Sequence, residues 1–312
     1  MEIIELDSLT YDKTFTQPYH IFNTGRFNAL NSSKCEKVHY LAFKDSKVRL
    51  GIIFGVREAK LLSPLSAPFG GFSFKSEKVN LNQIDAALIA LEAWVKQNQY
   101  TSIRITLPPV FYHRKFINKL YNCLYRSAYE SIVLDLNYQF PISKMESNYS
   151  EDIIWNNARK NLKKSLKAGL YFEKLETSAG VLAYDIIAQN RKEKGFPLRM
   201  TWEQVVATMQ VVTVDFFLIK KDVDNIAAAL VFHIAPQVVQ VVYWGDLPAY
   251  SDHRTMNYLS YSVFQYYQSN EITMVDIGPS TENSIPNFGL CEFKESIGCE
   301  ITTKLTLLKN ID

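Results

Sequence analysis

Metal-ligating and redox side chains are scarce in this chain. Its 312 residues include five histidines and four cysteines. Cys35, Cys123, Cys291 and Cys299 make no close pair of the C-x-x-C kind, so reduced, buried or half-buried thiols are expected and a metal site has no support. Charge of one sign is also lacking. The formal net charge of +2 is too small to steer the whole molecule onto a polyanion, so any such binding needs a local patch. No apolar run approaches the ~20 residues that span a membrane. The opening MEIIELDSLTYDK is acidic and mixed, without the pattern of a secretory signal, and a cytoplasmic protein is expected.

What is present is ordinary globular material, 47% hydrophobic and 21% charged, arranged as a repeat. In the first half, strands are expected at Val38–Phe43, Val48–Val56 and Ala59–Leu62. A helix follows at Leu81–Lys96, then a strand at Ser102–Leu107, a helix at His113–Ser127 and a strand at Ser131–Leu136. The second half repeats the order. Its strands are Thr213–Ile219, Ile226–Ile234 and Val238–Trp244, followed by helix Thr255–Ser269, strand Thr273–Ile277, helix Gly289–Ile297 and strand Ile301–Leu308. The expectation is an α/β protein of two domains, residues 1–145 and 146–312, each a mixed sheet flanked by helices. Open sheets of this kind bind ligands at the carboxyl ends of their strands.

Shorter segments add detail. Ile3–Leu6 reads as a strand and Gln17–Leu30 as a helix entering through Pro18. Ser63–Phe74, SPLSAPFGGFSF, is broken by proline and glycine and reads as a cleft loop. Ser66 lies in it, and Gly70 and Gly71 would let backbone approach a ligand closely. Ser150–Gly169 reads as a helix with Ser150 as N-cap and an apolar stripe of Ile154, Ala158, Leu162 and Leu166. Its other side carries Arg159, Lys160, Lys163, Lys164 and Lys167, with no acids for i,i+4 pairing after Asp152. That side is either a solvated basic face or a surface on which Arg159 and Lys163 dock an anionic substrate.

The string WNNARKNLKKSLKAGLYFEKLE (Trp155–Glu176), then NRKEKGFP from Asn190, then VDIGPSTENSIPNFGLCEFKESIGCE (Val275–Glu300), resembles the FemABX-like branch of the GNAT acyltransferase superfamily. The matching positions are Asn157, Arg159, Lys167, Ala168 and Gly169, then Asp276, Gly278 and Ser280. Gly289, Leu290, Phe293, Lys294, Gly298 and Glu300 complete them. In the first half only the loop SAPFGG matches. The resemblance implies two tandem GNAT-like domains and transfer of an acyl or aminoacyl group to an amine. The implied donor is an aminoacyl-tRNA in the peptidoglycan branch and an acyl-CoA or acyl carrier elsewhere. The implied acceptor is an anionic small molecule or cell-wall precursor. The long coiled insertion used alongside tRNA is missing, since only 178–210 is helical there and Pro197 interrupts it.

Acyl transfer to an amine needs a neutral amine, a stabilised carbonyl oxygen and contact between the two. In a GNAT-like sheet the third meander strand splays from the next parallel strand. The relevant ends are YWGD (Tyr243–Asp246) and DIGPS (Asp276–Ser280). Tyr243 is expected to donate a proton or hydrogen bond, and Asp276 to orient a base or accept from the amine; a carboxylate in an apolar strand needs a partner. Backbone near Gly245 and Gly278 is expected to bind a donor amide or oxyanion. Arg254 stands where a phosphate loop would precede a helix, without the glycines of that loop. Lys294 is the stronger candidate for a charged substrate group. Besides a FemABX-like N-acyltransferase, two readings stay open: an ordinary acyl-CoA N-acyltransferase outside cell-wall metabolism, and a degenerate pair that binds a ligand without catalysis.

Overall fold

Hydrophobic alternation produces strands and a 3.6-residue period produces helices, and both are visible in the first half of the chain. In a computed structural model, which describes residues 1–311, the first elements are β1 (Glu2–Leu6), α1 (Ser8–Thr14), α2 (Gly25–Leu30), β2 (Lys37–Lys44), β3 (Val48–Arg57), β4 (Lys60–Ser63) and β5 (Phe72–Phe74). After them come α3 (Leu81–Gln97), β6 (Ser102–Thr106), α4 (Arg114–Arg126) and β7 (Glu130–Pro141). Helix α3 starts at a reciprocal cap in which Asn80 accepts from Gln83 N and the Gln83 side chain accepts from Asn80 N, worth about 1 kcal/mol. It buries Ile84, Ala87, Leu88, Leu91 and Val95. The larger of these contribute roughly 1.5–3 kcal/mol each.

The second half runs α5 (Asn156–Leu166), β8 (Leu170–Leu175), α6 (Gly180–Glu193), α7 (Trp202–Met209), β9 (Val214–Lys221), β10 (Asp224–Ala235) and β11 (Val238–Asp246). Then follow α8 (Thr255–Gln268), β12 (Met274–Pro279), the small hairpin β13 (Thr281–Glu282) and β14 (Ile285–Pro286), α9 (Phe288–Ser296) and β15 (Glu300–Asn310). The repeated order β2-β3-β4-α3-β6-α4-β7 and β9-β10-β11-α8-β12-α9-β15 is the one read from the sequence.

The chain divides into two compact units, Met1–Leu136 with the chain from Thr302 onward, and Asn137–Ile301. The expected division at 145/146 followed chain order and differs at both ends. In the first unit the strands run β1-β2-β3-β4-β6-β15, with β5 beside β3. The last pairing is antiparallel, Thr306 opposite Thr106 through Asn310 opposite Ser102. In the second unit the last partner of β12 is the end of β7, Met274 opposite Pro141 through Pro279 opposite Asn137. The remaining order is β12-β11-β10-β9-β8. Each repeat thus ends in a strand that pairs with the other repeat's fifth element. Alternation in a sequence predicts a strand but does not name its neighbour.

Three local expectations are corrected. Helix α5 begins at Asn156, not Ser150; Tyr149–Ile153 forms a single π-helical turn and Ile154 is extended. Burial of Tyr149 and Ile154 in the second unit's core outweighs the capping potential of Ser150. The expected helix over 17–30 is a 3-10 turn at Ile21–Asn23 followed by α2, which is capped by Thr24. The loop over 63–74 ends in a short strand, since Phe72 and Phe74 pair with Ile52 and Leu50. In the second unit, α5 and α8 pack on one sheet face, where Phe140 and Phe264 stack with ring centres 3.9 Å apart.

Candidate active site

In the second unit β11 and β12 run parallel, but only from Val238 opposite Met274 to Gln240 opposite Asp276. Beyond that pair the strands separate. At the same point β11 carries a bulge: Val231 of β10 faces Val241, while Leu230 faces Tyr243. The extra residue bends the strand and strengthens its twist, and such bulges recur beside active sites. The backbone of β11 beyond Gln240 keeps β10 on one side and has no strand partner on the β12 side among the described residues.

Asp276 sits at the fork and is fully buried. It accepts from Asn137 Nδ2 at 2.8 Å, Gln240 Nε2 at 2.7 Å and its own neighbour Gly278 N at 2.9 Å. Hydrogen bonds are what make a buried carboxylate tolerable. Its geometry is that of an anchor for three chain segments, which departs from the expected role beside a reacting amine. Gly278 adopts φ +72, and its N–H is committed to Asp276, so it offers no free donor.

Lys294 is likewise buried rather than presented to substrate. From α9 its ammonium donates to the carbonyls of Ile277 at 3.0 Å, Gly278 at 2.8 Å and Pro279 at 3.1 Å, and lies 5.3 Å from the centre of the Tyr138 ring. Burial pulls its pKa down to about 8. It ties down the end of β12, whose carbonyls there have no strand on the β11 side. Ser280, next in the chain, is buried with its hydroxyl unpartnered. It lines an open groove of about 580 Å³ with Thr281, Ile285, Asn287 and Leu290.

On the β11 side, Tyr243 is mostly buried. Burial raises its pKa, and the backbone of Arg199 and Met200 and the nearby Arg191 oppose the rise, so the phenol stays protonated at neutral pH. The Arg191 guanidinium lies 5.4 Å from the centre of the Tyr243 ring and 5.9 Å from that of Phe196. Its Nε is buried without a partner, and burial lowers its pKa. Gly245 serves packing, contrary to expectation: a Cβ there would lie 2.5 Å from Asn190 Oδ1. The missing side chain lets Asn190 reach the Asp246 carbonyl at 2.6 Å.

The first unit has the same parallel pair, β4 with β6, from Lys60 opposite Ser102 to Ser63 opposite Ile105. Here its own loop fills the fork. Gly70 N donates to the Thr106 carbonyl at 2.9 Å and Gly71 N to Ser63 Oγ at 3.0 Å. Phe69 is fully buried, with His20 and Tyr112 against it at ring separations of 5.0 and 4.8 Å. The Gly70 N–H is thus taken by backbone and the Gly71 N–H by the Ser63 side-chain hydroxyl, so neither is free for a ligand. Ser66, at the loop's outer side, accepts from Lys34 Nζ at 3.0 Å. Arg57 holds the Lys34 and Leu65 carbonyls. Burial and the neighbouring Arg57 lower the Lys34 pKa.

No family model matches the sequence and no curated protein does; solved structures do. FemX superposes with a TM-score of 0.71 over 99% of this chain and 97% of that chain, at 12% identity. L-PGS from Bacillus licheniformis gives 0.60 over 97% and 92%, at 12% identity. A tandem GNAT protein from the clavulanic acid biosynthesis pathway gives 0.57 over 100% and 98%, at 9% identity. The chain has a tandem GNAT fold.

Within that tandem GNAT fold, Arg159 and Lys163 are already paired. Arg159 donates to Glu151 Oε2 at 2.8 Å and to the Glu151 carbonyl at 2.6 Å, and Lys163 is 3.4 Å from Glu151 Oε1. The acid missing at helical spacing arrives from the preceding π turn. Arg254 takes the left-handed conformation, φ 57, at the start of α8. Its exposed side chain has no hydrogen bond or ion pair among the described residues. Among those residues no group of three or more His, Cys, Asp or Glu converges as metal ligands would. Arg191, Gln240 and Asn137 were not expected. Arg191 had a signal: it lies four residues after buried Ile187 in a helix that also buries Ala183 and Asn190.

Proposed function

We propose that the chain transfers an acyl or aminoacyl group from an activated donor to an amine, at the fork between β11 and β12. The observation that carries this reading is the fork itself: parallel strands held together up to Gln240 and Asp276, then parted beside a bulge. An acyl carbonyl placed there meets backbone donors with no strand partner. Attack by a neutral amine forms the C–N bond and moves charge to the carbonyl oxygen, where those N–H groups stabilise it. Collapse breaks the bond to the leaving thiolate or alkoxide, Tyr243 supplies the leaving group's proton, and the proton released by the amine returns to Tyr243 through solvent. Asp276 and Lys294 hold the two strand ends in register with this event.

Arg191 is a cation without a carboxylate partner among the described residues. Such a group favours an acceptor bearing phosphate or carboxylate. The donor is tested directly. Purified protein is incubated with labelled acyl-CoA or with labelled aminoacyl-tRNA and a phosphorylated amine acceptor, and the amide product is followed by mass spectrometry. Product from either donor supports transfer and names its source. Stoichiometric binding without product from either favours the non-catalytic ligand-binding reading.

A further inference from the structure

Helix α5 ends at Leu166, and the chain turns through Lys167 and Gly169 into β8, the edge strand of the second unit. Leu170 and Tyr171 lie opposite Lys221 and Lys220 of β9, which turns through Asp222 and Val223 into β10. A Cβ on Gly169 would lie 3.7 Å from Lys221 Nζ, so these segments meet at one corner. It is at the end of the sheet toward which β11 runs, since Asp246 pairs with Ala227 near the start of β10. The fork of the same unit opens at that end.

Two independent features coincide at the corner. Large apolar side chains project into solvent: Leu166 is 53% exposed, Tyr171 62% and Val223 94%. Lysines surround them. Lys163 shares Glu151 with Arg159, Lys220 pairs with Glu173, and Lys221 pairs with Asp222. The side chains of Lys160, Lys164 and Lys167 have no hydrogen bond or ion pair among the described residues. Their spacing puts them on one stripe of α5, opposite buried Ala158, Leu162 and Ser165.

We infer that this corner docks the second unit on an anionic lipid surface. Apolar side chains enter the boundary between headgroups and acyl chains while unpaired ammonium groups meet anionic headgroups, the combination that holds proteins at a bilayer interface. No helix is long and apolar enough to cross a membrane among the described residues, so the contact is superficial and reversible. A phosphate backbone would use the lysines but leave Val223, at a turn tip, without a role.

The test is flotation of the full chain with phosphatidylcholine vesicles, alone or with phosphatidylglycerol as about one lipid in three. The parent floats with the anionic vesicles only, and added salt weakens the association. Lys164→Glu with Lys167→Glu lowers the bound fraction about tenfold or more. Tyr171→Ser with Val223→Ser lowers it severalfold at unchanged charge and unchanged circular dichroism. Failure of the parent to float with anionic vesicles, or flotation of both variants like the parent, overturns the proposal. It is also overturned if structured RNA binds the parent and the serine variant alike, loses the charge variant, and vesicles bind none; the corner is then a nucleic-acid surface.

Discussion

The two units build the same fork and treat it in opposite ways. In the first, the loop after β4 turns back and closes the gap with Gly70 N on Thr106 O and with Phe69 packed inside. In the second, β11 bulges and parts from β12, and beyond the bulge Tyr243 lies against Arg191. One fork is filled by its own chain, and the other is the one proposed for transfer. A duplicated fold therefore does not imply two active sites, and the glycines of a cleft loop do not by themselves mark a ligand.

The strongest way to break this comparison is to empty the first fork. Phe69→Ala removes a fully buried ring and is expected to cost about 3–5 kcal/mol of stability, read as a lower urea midpoint. A small change would mean that the loop is not a structural plug. In the second unit, Arg191→Ala is expected to leave the urea midpoint nearly unchanged. It should weaken an anionic acceptor by about ten- to hundredfold, as expected for lost hydrogen bonds to a charged group, read as a raised KM with little change in kcat. Equal loss for a neutral acceptor analogue would refute an anion-binding role.

The plug also predicts a pH dependence. His20 is fully buried, its ring nitrogens have no hydrogen-bond partner among the described residues, and burial, partly opposed by the Gly70 backbone, pulls its pKa down to about 3. Below the ordinary histidine value of about 6.5, the unfolded chain takes up a proton that the folded chain refuses. Its contribution to stability is complete above that value and is lost as pH falls toward 3. Between pH 7 and pH 5 the loss is about 2 kcal/mol. His20→Leu should flatten that part of the stability profile by about this amount in urea titrations; an unchanged slope would place the proton uptake elsewhere. The smallest effect belongs to Arg159→Ala. Its pairing with Glu151 is partly exposed and worth about 0.2–1 kcal/mol, and acceptor affinity should not change if the fork is the site.

The repeat itself was readable, because apolar periods such as the one through Ile84, Leu88, Leu91 and Val95 report a buried face directly. Strand neighbours were not: β7 and β15 alternate like any half-buried strand, and nothing local says that β7 joins β12 and β15 joins β6. The same limit applies to the site. Tyr243 could be placed at a strand end, but the burial of Lys294 under three carbonyls and of Asp276 under three donors depends on segments distant in sequence, including Asn137. The basic side of α5 was legible as charge, yet its partner Glu151 lay in a turn whose geometry follows from the burial of Tyr149 and Ile154.

The most direct test of the contrast between the forks is hydrogen–deuterium exchange of the whole protein, with acyl-CoA or aminoacyl-tRNA as the added donor. If the second fork is the transfer site, a donor that supports turnover slows exchange over residues 241–246 and 277–280 and leaves 63–71 and 105–107 unchanged. Protection confined to 63–71 and 105–107, or no protection at the second fork under turnover conditions, would contradict the assignment.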